Sequence, residues 1–114
     1  MSQSRIEAFR TMLKDEPENA MIWYGLASEY IKQENLSEAT VALRNVIRFN
    51  PDYTAAYQML GSALMSQGQS AEACRVWNEG IAVANRLGAW KARQHLEGLL
   101  ANVKPSTNSG FCNE

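Results

Sequence analysis

The chain has 114 residues, enough for one domain with a real core and too few for two independent ones. Its hydrophobic content of 46% and charged content of 20% are those of a soluble globular protein and exclude an intrinsically disordered chain. Lys and Arg number 11 against 12 Asp and Glu, so the charge gives no drive toward nucleic acid or an anionic membrane.

The first predicted element is a helix over residues 4–17. Its apolar residues fall at helical spacing, at Ile6, Phe9, Met12 and Leu13. Pro17 ends it, because proline cannot continue an α-helix. Its apolar pattern returns 34 residues later, where Met12 aligns with Val46 and Pro17 with Pro51. A period of this length indicates a repeat architecture.

Residues 20–53 form the first complete 34-residue unit. A helical stripe over its first half consists of Trp23, Leu26, Ala27, Tyr30 and Ile31. A break follows at Glu34-Asn35, and a second stripe consists of Ala39, Leu43, Val46 and Ile47. We therefore expect two antiparallel helices joined by a tight turn, in which Asn35 adopts a left-handed backbone conformation.

Residues 54–87 repeat this arrangement. The first stripe consists of Tyr57, Leu60, Gly61, Leu64 and Met65, the break is Gly68-Gln69, and the second stripe consists of Ala73, Val76, Trp77, Gly80 and Ile81. Gly68 is the predicted left-handed residue of this turn. No proline follows the second stripe, so its helix is predicted to continue through Asn85 until Gly88 stops it.

The C-terminal part of the chain leaves the 34-residue register. Residues 89–103 carry one more helical stripe, at Trp90, Leu96, Leu99, Leu100 and Val103, with polar residues opposite. A helix with one apolar and one polar face is what a terminal repeat needs, so we interpret it as a capping helix. Residues 104–114 are short and polar and are expected to be a disordered tail.

The double unit resembles the tetratricopeptide repeat. Residues 20–53 carry the motif residues Trp23, Leu26, Ala27, Tyr30, Ala39, Leu43, Val46 and Pro51. Residues 54–87 carry Tyr57, Leu60, Gly61, Leu64, Gly68, Ala73 and Trp77, and depart from the family at Gly80, where alanine is usual, and at Asn85, where proline is usual. The resemblance implies an all-α, right-handed superhelical array of about six helices, with residues 4–103 as one domain.

The resemblance also implies a function: a non-enzymatic protein–protein interaction module or adaptor. In this family the first helices of the units line a concave groove that binds peptides. The groove positions correspond here to Met21, Tyr24, Ser28, Ile31 and Lys32, and to Ala55, Gln58, Ser62, Met65 and Ser66. Tyr24 would be an aromatic anchor, unless the N-terminal helix covers it and the apolar members only extend the core. One subclass clamps a partner's C-terminal carboxylate with Lys, Asn and Arg at these positions. Here Lys32 is the only cation available, so a neutral or mildly apolar segment of a protein is the expected ligand.

Other functions find less support in the sequence. The alternative is a self-assembling scaffold, a monomer or weak homodimer that pairs through Ile6, Phe9 and Met12 at the N-terminal edge. An enzyme would need converging ionisable groups, whereas His95 is the only histidine, and no cofactor or metal motif occurs. Cys74 and Cys112 lack metal-ligand spacing. Without a signal-peptide pattern, a cytoplasmic location is expected.

Overall fold

Six helices make up the described part of the chain. The computed structural model describes residues 2–103, and within them no strand occurs. The helices are α1 (Ser2–Asp15), α2 (Ala20–Lys32), α3 (Leu36–Phe49), α4 (Thr54–Ser66), α5 (Ser70–Leu87) and α6 (Trp90–Ala101). Each packs mainly against its neighbours in sequence, giving an elongated body of 42 × 30 × 18 Å. The predicted all-α array is confirmed.

The helix ends follow from particular residues. Asn19 caps α2, since its Oδ1 accepts from the backbone N–H groups of Met21 (3.0 Å) and Ile22 (3.4 Å). Gly88 ends α5 with φ at 69°, as the sequence predicted. Gly68 also has a positive φ, of 80°.

The turn between α2 and α3 differs from the prediction. Asn35 has φ at −90° and caps α3, its Oδ1 accepting from the backbone N–H of Glu38 at 3.4 Å. The left-handed residue is Glu34, with φ at 59°. Glu34 aligns with Gly68 over the 34-residue period, so both turns have the same shape. The expectation for Asn35 was wrong because asparagine favours helix caps as well as left-handed positions.

Close packing of rings on glycines holds successive helices together. A Cβ at Gly25 would lie 2.6 Å from the Phe9 ring, and one at Gly61 would lie 2.5 Å from two ring atoms of Trp77. Both distances are far below van der Waals contact. The glycines therefore let α1 approach α2 and α5 approach α4.

Gly80, the departure from the family pattern, has the same explanation. A Cβ there would lie 2.7 Å from the Cβ of Tyr57 and 3.0 Å from Cδ1 of Leu96. Leu96 is fully buried, so α6 is seated on α5 at this glycine. Alanine is disfavoured here first by Tyr57 of α4 and then by Leu96 of the capping helix.

The first ring of each unit is tied to the proline that precedes it. The Trp23 indole N–H donates to the carbonyl of Pro17 at 2.8 Å, and the Tyr57 hydroxyl donates to the carbonyl of Pro51 at 2.8 Å. Tyr30 is buried, and Arg10 donates to its hydroxyl oxygen. Trp23 is only half-buried. These rings belong to the packing between helices.

The three apolar residues through which copies were expected to pair at the N-terminal edge differ in exposure. Ile6 is fully buried against Leu26 and Tyr30, and Phe9 is half-buried. Met12 alone of the three residues expected there is well exposed, at 48%.

No helix within residues 2–103 is long and apolar enough to cross a membrane. The tail predicted over residues 104–114, with Cys112, lies outside the described residues.

Candidate functional site

A cleft of about 290 Å³ opens between the α2–α3 turn, α4 and α6. One face of α4 forms its base, because residues at steps of three and four lie on the same side of a helix. Its lining residues are Ile31, Leu36, Gln58, Met59, Ser62, Ala63, Ser66 and His95. We call it the α4 cleft.

Four of the predicted groove residues meet in the α4 cleft: Ile31, Gln58, Ser62 and Ser66. Ile31 approaches from the end of α2, and the other three follow one another at steps of four along α4. Ser62 and Ser66 are exposed, so their hydroxyls are available to a ligand. Helix periodicity accounts for this meeting of residues.

The other predicted groove residues lie outside this cleft. Met21 is 73% exposed on α2, whereas Ser28, Ala55 and Met65 are half-buried. Met65 packs against the main core cluster. None of these residues lines the cleft.

Tyr24 is half-buried and stacks on Tyr53, which immediately precedes α4. Their ring centroids are 4.9 Å apart, with an interplanar angle of 24°. Burial, and then the neighbouring Tyr24, raises the pKa of Tyr53. One face of the Tyr24 ring is thus occupied by Tyr53, which lies in the loop after α3.

Lys32 is engaged with a carboxylate of its own helix. Its Nζ lies 3.3 Å from Oε2 of Glu29, and an Arg5 guanidinium nitrogen lies 3.5 Å from the same oxygen. Glu29 is 5% exposed, and its Oε1 has no hydrogen-bond partner among the described groups. The positive charge of Lys32, the cation among the predicted groove residues, is therefore partly neutralised by Glu29.

Other cations of the described chain are paired as well. Arg44 pairs with Glu72 at 3.4 Å, and Arg86 pairs with Asp52 at 2.5 Å. Pairing within the chain weakens the field that a nucleic acid backbone would meet.

Four lining residues were missed by sequence reasoning. Met59 and Ala63 adjoin predicted positions, whereas Leu36 comes from the start of α3 and His95 comes from α6. Met59 and Ala63 follow Gln58 and Ser62 by one residue, so a wider stripe on α4 would have included them. His95 had no such signal, because α6 lies out of register with the repeat.

The α4 cleft is chemically neutral. Ile31, Leu36, Met59 and Ala63 supply apolar walls, while an amide and two hydroxyls supply hydrogen-bonding groups. His95 is the one titratable residue among those that line it. Within residues 2–103 no group of three or more His, Cys, Asp or Glu could hold a metal ion.

Comparisons with known proteins agree with this fold. A family model described as the tetratricopeptide repeat matches residues 6–60. A TPR repeat-containing protein of Pseudomonas aeruginosa is 29% identical over 98 residues, which cover 86% of this chain and 93% of that protein. A solved structure from Bordetella parapertussis is similar with a TM-score of 0.73 and 29% identity, and 84% of each chain is covered. The TPR2B domain of yeast Sti1, solved as a complex with pHsp70, shares the fold with a TM-score of 0.77 at 19% identity, covering 82% of this chain and 75% of that one.

Proposed function

This chain is a tetratricopeptide repeat protein, and we propose that it acts as an adaptor by binding an extended segment of a partner protein in the α4 cleft. The fold is one of protein–protein interaction modules. The α4 cleft supports a binding role, since it is concave, largely apolar and equipped with a few polar groups, as ligand sites usually are.

The lining of the cleft supports a neutral, partly apolar ligand. The Gln58 amide can both donate to and accept from a peptide backbone, and the hydroxyls of Ser62 and Ser66 can do the same. Apolar side chains of the ligand would cover Ile31 and Met59, and thioethers adapt to varied shapes. No carboxylate, Lys or Arg lines the cleft, so a charged ligand group would lose hydration without gaining a partner.

The size of the cleft limits its affinity. A volume of about 290 Å³ is at the lower end for ligand pockets, and it accommodates only a few peptide residues. A contact this small is expected to give a micromolar Kd, because binding must offset the entropy of association. Such affinity suits an adaptor that releases its partner.

The test uses peptides selected from a random displayed library against the immobilised chain. The Ser62→Arg variant places a long cation in the cleft from an exposed helix position, so it blocks the site without removing core packing. We expect at least about a tenfold weaker Kd, equal to about 1.4 kcal/mol. Fluorescence anisotropy with a labelled peptide measures this.

The matched control is Ala82→Arg, an equally exposed helix position on α5 that lies outside the cleft. It should leave the Kd unchanged. The proposal fails if no peptide binds the wild-type chain, or if both arginine variants weaken binding equally.

A further inference from the structure

A second cleft, of about 260 Å³, opens between α1, α2 and α3. Its apolar surface comes from Leu13, Trp23, Leu26 and Val41, and two charged residues, Arg10 and Glu38, also line it. Val41 is 56% exposed, which leaves this surface open to solvent. We call it the first-repeat cleft.

The second repeat closes the equivalent surface with its own side chains. Arg75 stands there where the first repeat has Val41, and Glu72 stands where it has Glu38. Glu72 pairs with Arg75 at 2.5 Å and with Arg44 at 3.4 Å. A paired arginine thus lies where the first repeat has the apolar Val41.

The first repeat lacks both of these pairings. Arg10, the counterpart of Arg44, donates instead to the Tyr30 hydroxyl and lies over its ring, 5.8 Å from the centroid. No ion pair joins Glu38 to a described residue, although its counterpart Glu72 has two. The first-repeat cleft therefore offers an apolar hollow beside an unpaired carboxylate.

The turn between α5 and α6 carries matching features. Trp90 is 61% exposed and Leu87 is 45% exposed, whereas large rings are usually covered by protein. The Nζ of Lys91 lies 5.6 Å from the centroid of the Trp90 ring. An exposed indole beside an ammonium group is complementary to an apolar hollow beside a carboxylate.

We propose that Trp90 of one copy of the chain inserts into the first-repeat cleft of a second copy, with Lys91 pairing with Glu38. The indole would cover Val41, and the ion pair would supply the charge that Arg75 supplies in the second repeat. The two surfaces belong to opposite ends of the helix order, so the contact is head-to-tail. In a head-to-tail dimer, one copy still has an empty first-repeat cleft and the other still has an exposed Trp90. Association can therefore continue into chains of copies.

The first test is sedimentation equilibrium from micromolar to millimolar concentration. The weight-average mass of the wild-type chain should rise with concentration, while Val41→Arg and Trp90→Ala should each stay monomeric. Both changed residues are exposed, and a circular dichroism melt checks that the variants fold. Met21→Arg, at an apolar residue exposed elsewhere, is the matched control and should associate like the wild type.

The second test mixes the two variants. Val41→Arg keeps an intact Trp90, and Trp90→Ala keeps an intact first-repeat cleft, so an equimolar mixture should form 1:1 dimers and nothing larger. Lys91→Glu should weaken association, and adding Glu38→Lys to it should restore association. The proposal is overturned if the wild type stays monomeric, if association survives either single variant or is lost in Met21→Arg, if the mixture fails to dimerise, or if the charge exchange does not restore it.

Discussion

The contact of Trp77 with Gly61 leads to the sharpest stability prediction. Trp77 is 3% exposed, and its indole N–H donates to the Gln58 carbonyl at 3.3 Å. Gly61→Ala would place a Cβ 2.5 Å from Cδ1 and Cε2 of this ring. We expect the variant to be less stable than the wild type, although alanine is the better helix former.

The magnitude follows from competing effects. The ring must move by more than about 0.9 Å to reach an ordinary contact of 3.4 Å, because its Nε1 lies even closer to the added Cβ than these two carbons, and the core is closely packed. Overpacking of this kind costs about 1–3 kcal/mol, and losing the indole hydrogen bond costs about 0.5–1.5 kcal/mol more. Replacing glycine in a helix returns about 1 kcal/mol. The sum is a net loss of about 0.5–3.5 kcal/mol in the free energy of unfolding.

Urea unfolding followed by circular dichroism measures this loss, and Gly98→Ala is the control. A Cβ at Gly98 meets no atom within 4 Å, so this variant should gain about 1 kcal/mol from helix propensity alone. A second variant restores the fit: Trp77→Leu in the Gly61→Ala background reproduces the Ala27 and Leu43 pair at the same positions of the first repeat. The double variant should lose less than the sum of the single losses. Equal gains in Gly61→Ala and Gly98→Ala would refute the reasoning.

Two other features can be tested in the same way. Glu34 holds a left-handed conformation at φ 59°, so Glu34→Gly should stabilise the chain by up to about 1 kcal/mol, whereas Gly68→Ala, at φ 80°, should destabilise it by about 1 kcal/mol. A lower urea midpoint for Glu34→Gly, or a higher one for Gly68→Ala, would contradict the assigned turns. Tyr57→Phe should cost about 0.5–1.5 kcal/mol at neutral pH by removing the bond to Pro51. Burial, followed by nearby carboxylates, raises the pKa of Tyr57 above its ordinary 10.0, so its contribution to stability is complete below pH 10 and is lost as pH rises through the folded pKa. Tyr57→Phe should therefore lose less stability than the wild type in alkaline unfolding series, and identical slopes would contradict this.

The fold could be predicted because its signal is periodic. Apolar residues at helical spacing, repeated every 34 residues, identify the helix pairs, and Gly88 marks the end of α5. The left-handed residue of the first turn could not be identified, since Glu34 is an unusual choice for it. Tertiary geometry forces the conformation there against the residue's own preference.

The candidate site was predictable only along one helix. Ser62 follows Gln58 by four residues, so both were placed on one face from sequence alone. His95 enters the cleft because α6 begins 36 residues after α4, whereas α4 begins 34 residues after α2. A shift of two residues turns a helix by about 200°, and so the repeat pattern cannot place the side chains of α6. The cover that Tyr53 gives to Tyr24 comes from a loop, where no periodicity exists.

The central claim, that the α4 cleft binds a peptide, is tested most directly by NMR. A selected peptide is titrated into the ¹⁵N-labelled chain, and amide shift changes are mapped onto the helices. The account predicts that the largest changes fall on residues 58–66, together with the amides of Ile31, Leu36 and His95. Changes confined to the exposed faces of α3 and α5 would contradict it.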